Sequence, residues 1–298
     1  MSSDRSSNPL RVLLVTYEKL ADLTPSDKIL AAALQARGVD AVPALWDAVD
    51  PQSRNGAMVC LRSPWDYFKR FEEFRPWIEA FRARPGTLWN PVETVLWNAD
   101  KIYLRDVEAR GVPMPVTRWF DPGVRVDMPR VLADARWDRA VLKPRVSGGA
   151  WGTHRVDAST RLTDAEWAPI LASGAIVQEY IAEVETRGEL SLLYFDGKFS
   201  HAVRKSTAAG DFRVQLEFGG RYERVEIPSA LAEAGLRWLA AAGHPWIYAR
   251  VDLVERESGP VLMELELIEP ELFFAVAPEC ADTFAEVLIA AGEKRRRA

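Results

Sequence analysis

The sequence predicts an α/β protein that turns α+β towards its C-terminal end, and three observations carry that prediction. Leu10 to Thr16 (LRVLLVT) is a nearly continuous apolar, β-branched run, as expected of a parallel strand covered on both faces. A helical spacing follows from Lys28 to Arg37, stopped by Gly38, and Val39 to Leu45 resumes as a strand, completing a βαβ unit. Much later, Trp246 to Leu267 alternates polar and apolar residues about the turn Glu257-Ser258-Gly259, the pattern of an antiparallel hairpin.

Taken in order, Ser26-Asp27 is the expected cap of the first helix. Met58 to Leu61 reads as a third strand, and Arg62-Ser63-Pro64-Trp65-Asp66-Tyr67 at its end suits a ligand loop at a strand's carboxyl edge. After Asn90-Pro91 the pattern changes. Ala99 to Ala109 reads as one helix, stopped by Gly111, with Val112-Pro113-Met114-Pro115 as an extended exit. Ala140 to Lys143 is a short strand entering Pro144 and a loop rich in glycine, Ser147 to Thr153. Ala175 to Ile181 is a strand, and Glu189 to Phe195 pairs with Lys198 to Val203 about Asp196-Gly197. These patterns divide the chain into an N-terminal α/β unit (1–94), a central unit (95–181) and a C-terminal unit (182–298).

Composition sets the limits. The chain has 298 residues, 48% apolar and 27% charged, the values of an ordinary globular protein. A net charge of −5 argues against a nucleic-acid binder, and the basic run Lys294 to Arg297 reads as a solvated tail. No apolar run approaches the roughly 20 residues that span a bilayer. Cys60 and Cys280 are far apart, and Met1 to Asn8 lacks the apolar core of a signal peptide, so a reducing cytoplasm is expected. His154, His201 and His244 form no metal-ligand spacing and are expected to be structural.

The acidic hairpin is the most informative stretch. A turn centred on Ser258 sets Asp252 opposite Glu264 and Arg250 opposite Glu266. Like charges directly across a ladder repel, so a positive group must compensate, and a hard divalent cation does this well. An ordinary solvated sheet face accounts for the same alternation equally well on the hairpin alone.

The segments from about residue 90 to 275 resemble the ATP-grasp superfamily, in that family's order. They are Asn98-Ala99-Asp100-Lys101, Gly111 to Pro115, Val141-Leu142-Lys143-Pro144, the Gly-rich loop, Val177 to Ile181, Arg250-Val251-Asp252 and Glu264-Leu265-Glu266. The phrases Tyr248 to Asp252 and Glu264 to Phe273 look like those of the O-ureido-serine cyclo-ligases of cycloserine biosynthesis. Prokaryotic glutathione synthetases and ribosomal-protein glutamate ligases look more distant. The resemblance implies an ATP-grasp fold, with ATP bound between two α+β subdomains, and an ADP-forming carbon-nitrogen ligase using Mg²⁺ or Mn²⁺.

Residue by residue, the resemblance implies an ATP site from Lys101, Lys143, Ser147, Gly148, Gly149, Gln178, Glu179, Tyr180, Ile181 and Glu189. Asp252 and Glu264 match the metal-binding acids, and Glu266 stands where the family usually has Asn. Arg250 matches the arginine that steadies the transferred phosphate; Arg204, Lys205 and Arg213 lie where relatives carry basic residues near phosphate or substrate. The substrate is expected against Arg62 and Asp66 on one side and Glu269 and Glu271 on the other. Arg62 could pair with a carboxylate and a glutamate with an ammonium. The expected substrate is a small carboxylate, an amino acid or derivative, coupled within one molecule or to a second one; homodimerisation stays open. A nucleotide-binding protein without turnover and a purely structural α/β protein are the competing readings.

Overall fold

The structure is a computed structural model that describes residues 9–53, 55–208, 213 and 219–297. Three sheets organise it. The first is parallel, ordered β2-β1-β3-β4, from β1 (Arg11–Thr16), β2 (Asp40–Leu45), β3 (Met58–Ser63) and β4 (Leu88–Trp89). The second is antiparallel, from β5 (Thr117–Phe120), β6 (Ala140–Pro144), β7 (His154–Val156) and β8 (Ala175–Glu179), in the order β5-β8-β6-β7. The third is also antiparallel: β9 (Glu189–Phe195), β10 (Lys198–Ser206), β11 (Arg221–Val225), β12 (Tyr248–Arg256) and β13 (Gly259–Glu266), ordered β11-β10-β9-β12-β13.

The apolar run of β1 is covered on both faces, as its lack of alternation predicts. Val12 and Leu14 pack with α1 (Pro25–Gln35) and α9 (Cys280–Arg297), while Val15 packs with α2 (Phe71–Ala80) and α3 (Val92–Ala99). α9 joins the first sheet to the third, because Phe284 stacks on Phe195 of β9 at 4.5 Å and shares its core with Leu14 and Tyr248. The remaining helices are α4 (Tyr103–Ala109), α5 (Met128–Ala135), α6 (Asp164–Ser173), α7 (Glu183–Arg187) and α8 (Ser229–Ala242). Among the described residues no helix is long and apolar enough to cross a membrane.

Three local expectations need correction. Thr24, not Ser26-Asp27, caps α1: its hydroxyl accepts from the Asp27 amide at 3.0 Å and Pro25 takes the first helical position. Ser26 and Asp27 lie inside the first turn and are buried. The helix expected over 99–109 is two helices, broken at Asp100 to Ile102, where the Lys101 amide turns away to the Arg145 carbonyl at 2.9 Å. Finally, the basic tail is not loose: α9 stays helical to Arg297.

The acidic hairpin has the expected register by an unexpected route. Arg250 faces Glu266 and Asp252 faces Glu264, yet the turn is only Glu257-Ser258, with Arg256 opposite Gly259. A bulge between Asp252 and Leu253 absorbs the extra residue, so Leu253 faces Leu262 and Met263 is left over.

Candidate active site

The cleft lies between the second and third sheets. Every candidate site residue from the sequence lines it except Arg62, Asp66, Glu269 and Glu271, and Arg204, which turns to Glu255 at 3.2 Å. Its roof is the loop from Ser147 to Thr153. Gly149 and Ala150 both have positive φ, which turns the chain sharply there. Gly148 lies so close to Phe68 that a Cβ would stand 2.8 Å from that ring, and Phe68 also packs on Trp151, with centroids 5.4 Å apart. The loop after β3 therefore touches the roof of the cleft.

One wall is β8 and its exit. Gln178 is buried, donating to the Thr117 hydroxyl at 3.2 Å and accepting from Lys143 Nζ at 3.4 Å. Glu179 turns to Arg256 at 3.2 Å, Tyr180 donates to Glu185 under the Arg139 guanidinium, and Ile181 packs with Val254 and Val261. Burial holds the Lys143 ammonium below its ordinary pKa. Lys101 Nζ donates to the Ser147 carbonyl at 2.6 Å and meets Glu264 at 2.9 Å. The break between α3 and α4 is what aims Lys101 into the cleft.

The opposite wall is charged. Arg250 grips Asp252 through Nε at 3.0 Å and Nη2 at 2.8 Å, and also donates to Glu266. Lys205 Nζ lies 3.1 Å from Asp252 and also pairs with Glu189. The Ser191 hydroxyl donates to the remaining side of Asp252 at 2.5 Å. Burial alone would raise Asp252, but Arg250 and Lys205 outweigh it and hold the carboxyl well below the usual range. Glu266 goes the other way. Burial, opposed by Arg250 and reinforced by Asp252 and Glu264, pushes it up to about 8. Burial likewise raises Glu189. Arg213 lines the cleft as well.

Three carboxylates on one face are chemically suited to a hard cation. Among the described residues no three of His, Cys, Asp and Glu close into a metal cage. Mg²⁺ needs no such cage, since one or two carboxylates plus substrate phosphates ordinarily hold it. Asp252 and Glu264, opposed in the ladder with Glu266 beside them, fit that requirement.

The four other expected residues are placed differently. Arg62 is fully buried, with Nε on Asp27 at 3.0 Å and Nη2 on the Pro270 carbonyl at 2.7 Å. It is a strut, not a wall of the cleft. Asp66 accepts from Trp46 Nε1 at 2.8 Å and pairs with Arg70. Glu271 accepts from the Phe273 amide at 2.7 Å, and Glu269 is buried beneath Tyr67. What the structure adds is how that segment is held. Four successive carbonyls, of Glu269, Pro270, Glu271 and Leu272, accept from Trp65, Arg62, Arg250 and His201. No sequence pattern signals such a clamp, because its four donors come from three separate segments.

A second set escaped the sequence reading. β13 is the edge strand that carries Glu264 and Glu266, and its open side is capped by side chains. Asn98 accepts from the Leu267 amide and donates to the Leu265 carbonyl, both at 2.8 Å, and Tyr103 exchanges two bonds with Leu265. The Pro113 carbonyl takes the Leu262 amide. These bonds satisfy an edge that would otherwise stand open and fix the acids. The histidines are structural: His201 is buried, His244 stacks on Trp97 and His154 faces Glu166 at 4.0 Å.

Two antiparallel sheets closing on a cleft, a glycine-rich roof, buried lysines and an acidic hairpin define the ATP-grasp class of ATP-dependent ligases, and the chain belongs to it. The model of the RimK-like ATP-grasp domain matches residues 154–271, and that of the D-cycloserine synthetase DcsG N-terminal domain matches 12–90. The chain is 33% identical over 279 residues to the cycloserine biosynthesis protein DcsG of Streptomyces lavendulae, covering 87% of this chain and 91% of that one. A probable alpha-L-glutamate ligase of Xanthomonas euvesicatoria pv. vesicatoria is 29% identical over 178 residues, 59% of each chain. The crystal structure of D-cycloserine synthetase DcsG matches with a TM-score of 0.80 at 28% identity, over 96% of this chain and 99% of that one. D-alanine--D-alanine ligase from Bacillus anthracis shares the fold, with a TM-score of 0.68 at 16% identity over 97% of each chain.

Proposed function

We propose that the enzyme phosphorylates a small-molecule carboxylate with ATP and couples the acyl phosphate to a nitrogen nucleophile of the same molecule, as a cyclo-ligase. The observation that carries this reading is a single cleft that brings Arg250, Lys205, Asp252, Glu264 and Glu266 together with Lys143 and Gln178 to Ile181. That arrangement suits a triphosphate whose base lies along β8 and whose terminal phosphate meets the acids.

A carboxylate resists attack because it is anionic and has no leaving group. Phosphorylation supplies one, and positioning with charge neutralisation is then what the protein must provide. Lys143 and Lys101 would neutralise phosphate oxygens, with backbone amides of Ser147 to Gly149 closing over them. Glu189 would accept from the ribose hydroxyls. Arg250 would take up charge developing on the transferred group, with Lys205 assisting. Asp252, Glu264 and Glu266 would hold Mg²⁺ or Mn²⁺, which when bound screens the phosphate oxygens and acts as a Lewis acid. The nitrogen then attacks the acyl carbon, the C–O bond to phosphate breaks, and ADP and phosphate leave. In this scheme the nucleotide sits between the units 95–181 and 182–298, and 1–94 faces the acceptor.

Cyclisation is favoured by the N-terminal unit, because the likeness to the cycloserine protein includes residues 12–90. The likeness to RimK-like domains over 154–271 favours the second reading, an intermolecular amino-acid or peptide ligase. ADP release measured across a panel of amino acids and their derivatives, with mass spectrometry of products, separates the two. A product lighter than its substrate by one water signals cyclisation, and a product that joins two substrates signals intermolecular coupling. ATP turnover that no carboxylate stimulates overturns both.

A further inference from the structure

The roof of the cleft is pinned at its stem by its own unit. Lys101 Nζ holds the Ser147 carbonyl at 2.6 Å, and Gly152 sits so close to Pro144 that a Cβ there would stand 2.8 Å from that ring. The tip is a turn closed by the Trp151 amide on the Gly148 carbonyl at 2.9 Å. What meets the tip comes from the N-terminal unit. Phe68 fills the place where a Gly148 side chain would stand, at 2.8 Å, and its ring packs on Trp151 with centroids 5.4 Å apart.

Phe68 is presented from a fixed base. It belongs to a short helical turn, Tyr67–Lys69; Asp66 before it accepts from Trp46 Nε1 at 2.8 Å, and Arg70 after it pairs with Asp47 at 2.8 Å. Trp65 Nε1 donates to the Glu269 carbonyl at 3.2 Å, and the Tyr67 ring packs on Phe74 at 4.7 Å. Tyr67 is itself buried, with its hydroxyl on the Glu269 carboxyl. Consecutive side chains of one turn therefore reach the segment after the acids and the roof over the cleft. Ordinary packing between units would bury an aromatic ring against neighbours that stay put. Here the ring is half-buried, and its partner is a loop whose tip holds two positive-φ residues, Gly149 and Ala150, with Gly149 exposed. A loop with an exposed tip owes its position to the few contacts it has.

We propose that Phe68 is a positioning residue for the nucleotide: through Trp151 it latches the roof to the N-terminal unit, so that the roof amides stay over the phosphates. The latch rests on the reading of the cleft as an ATP site, and it assigns the closed position of the roof to a residue outside the cleft lining. A loop that must order itself over a ligand loses conformational freedom on binding, and a contact that orders it beforehand removes part of that cost. The wall along β8 lies apart from the roof, so the latch acts on phosphate and not on the base. Gly148 belongs to the same device, because a Cβ there would strike the ring and lift the roof away.

Two measurements on the full chain test it, and neither needs a carboxylate. Calorimetry compares a non-hydrolysable ATP analogue with AMP, whose single phosphate lies nearest the base, and hydrogen exchange reads the amides of 147–153. Phe68→Ala is expected to weaken the analogue about three- to tenfold, the factor an aromatic pair supplies, and to leave AMP within about twofold. Exchange at 147–153 should quicken by about the same factor while β1 and β12 keep their protection. Trp151→Ala should match Phe68→Ala, and the double variant should lose no more than either alone, because both remove one contact. Gly148→Ala should weaken the analogue more in wild type than in the Phe68→Ala background. Should Phe68→Ala melt early, Trp151→Leu on the loop side carries the test. Equal losses for AMP and the analogue, or roof exchange that the variants leave unchanged, overturn the latch. Failure of the underlying reading looks different: wild type itself then binds neither nucleotide, before any substitution is made, and the latch falls with it.

Discussion

Arg62 and Arg250 hold neighbouring carbonyls of one segment, Pro270 and Glu271, yet they sit in opposite surroundings. Arg62 is sealed among Tyr248, Phe284 and Asp27, one carboxylate for one guanidinium. Arg250 faces two carboxylates, with Lys205 and an open cleft beside it. The first charge is balanced by its own pair, so nothing is left to recruit a ligand. The second belongs to a group in which burial, reinforced by Asp252 and Glu264 against Arg250, pushes Glu266 up to about 8, and that cost is what a phosphate and a cation can relieve. A buried arginine is thus a strut or a tool according to how its neighbours' charges sum.

The largest effect expected from this contrast is on stability. Arg62→Ala leaves Asp27 buried without its partner and should cost about 3–5 kcal/mol, read as a lower urea midpoint. At a temperature where the variant stays folded, its ATP affinity should match wild type. A stable variant with a raised KM for the carboxylate would make Arg62 a substrate ligand and dissolve the contrast. Asp252→Asn should do the reverse, lowering substrate-dependent ADP release by about 10²–10³-fold while the fold survives. Unchanged turnover would remove Asp252 from the metal and phosphate machinery.

The same clamp includes a group that titrates. Burial lowers His201 to about 4, so it is neutral in the folded chain while its unfolded pKa is near 6.5. A group depressed on folding contributes stability that is fully present above the unfolded value and lost as pH falls through the folded one. Stability should therefore drop by up to about 3 kcal/mol between pH 6.5 and 4. His201→Gln, which can still donate to Leu272, should flatten that part of the profile; an unaltered profile would show that another group drives it. The smallest effect is at the lysine of β6. Lys143→Ala should weaken ATP binding about tenfold, roughly 1.4 kcal/mol, by calorimetry. Equal affinity would place Lys143 outside the nucleotide site.

Wherever chemistry is written in one short stretch, the sequence alone was enough. The run Leu10 to Thr16 announces a doubly covered strand, because a strand with two buried faces cannot alternate. The alternation from Tyr248 to Leu267 announces a hairpin that brings Asp252 against Glu264, since side-chain direction along a strand is fixed by its period of two. The loop Ser147 to Thr153 is legible because only a glycine-rich stretch lets backbone approach its neighbours so closely. Tertiary structure decided the rest. Arg62 reads as a ligand at a strand's carboxyl edge until α1 delivers Asp27 to it, and no local pattern links residues 35 apart. Asn98 and Tyr103 read as ordinary helix residues until β13 arrives as an edge strand in need of partners. A local pattern records which way a side chain points; only the packed chain determines which charges and donors it meets there.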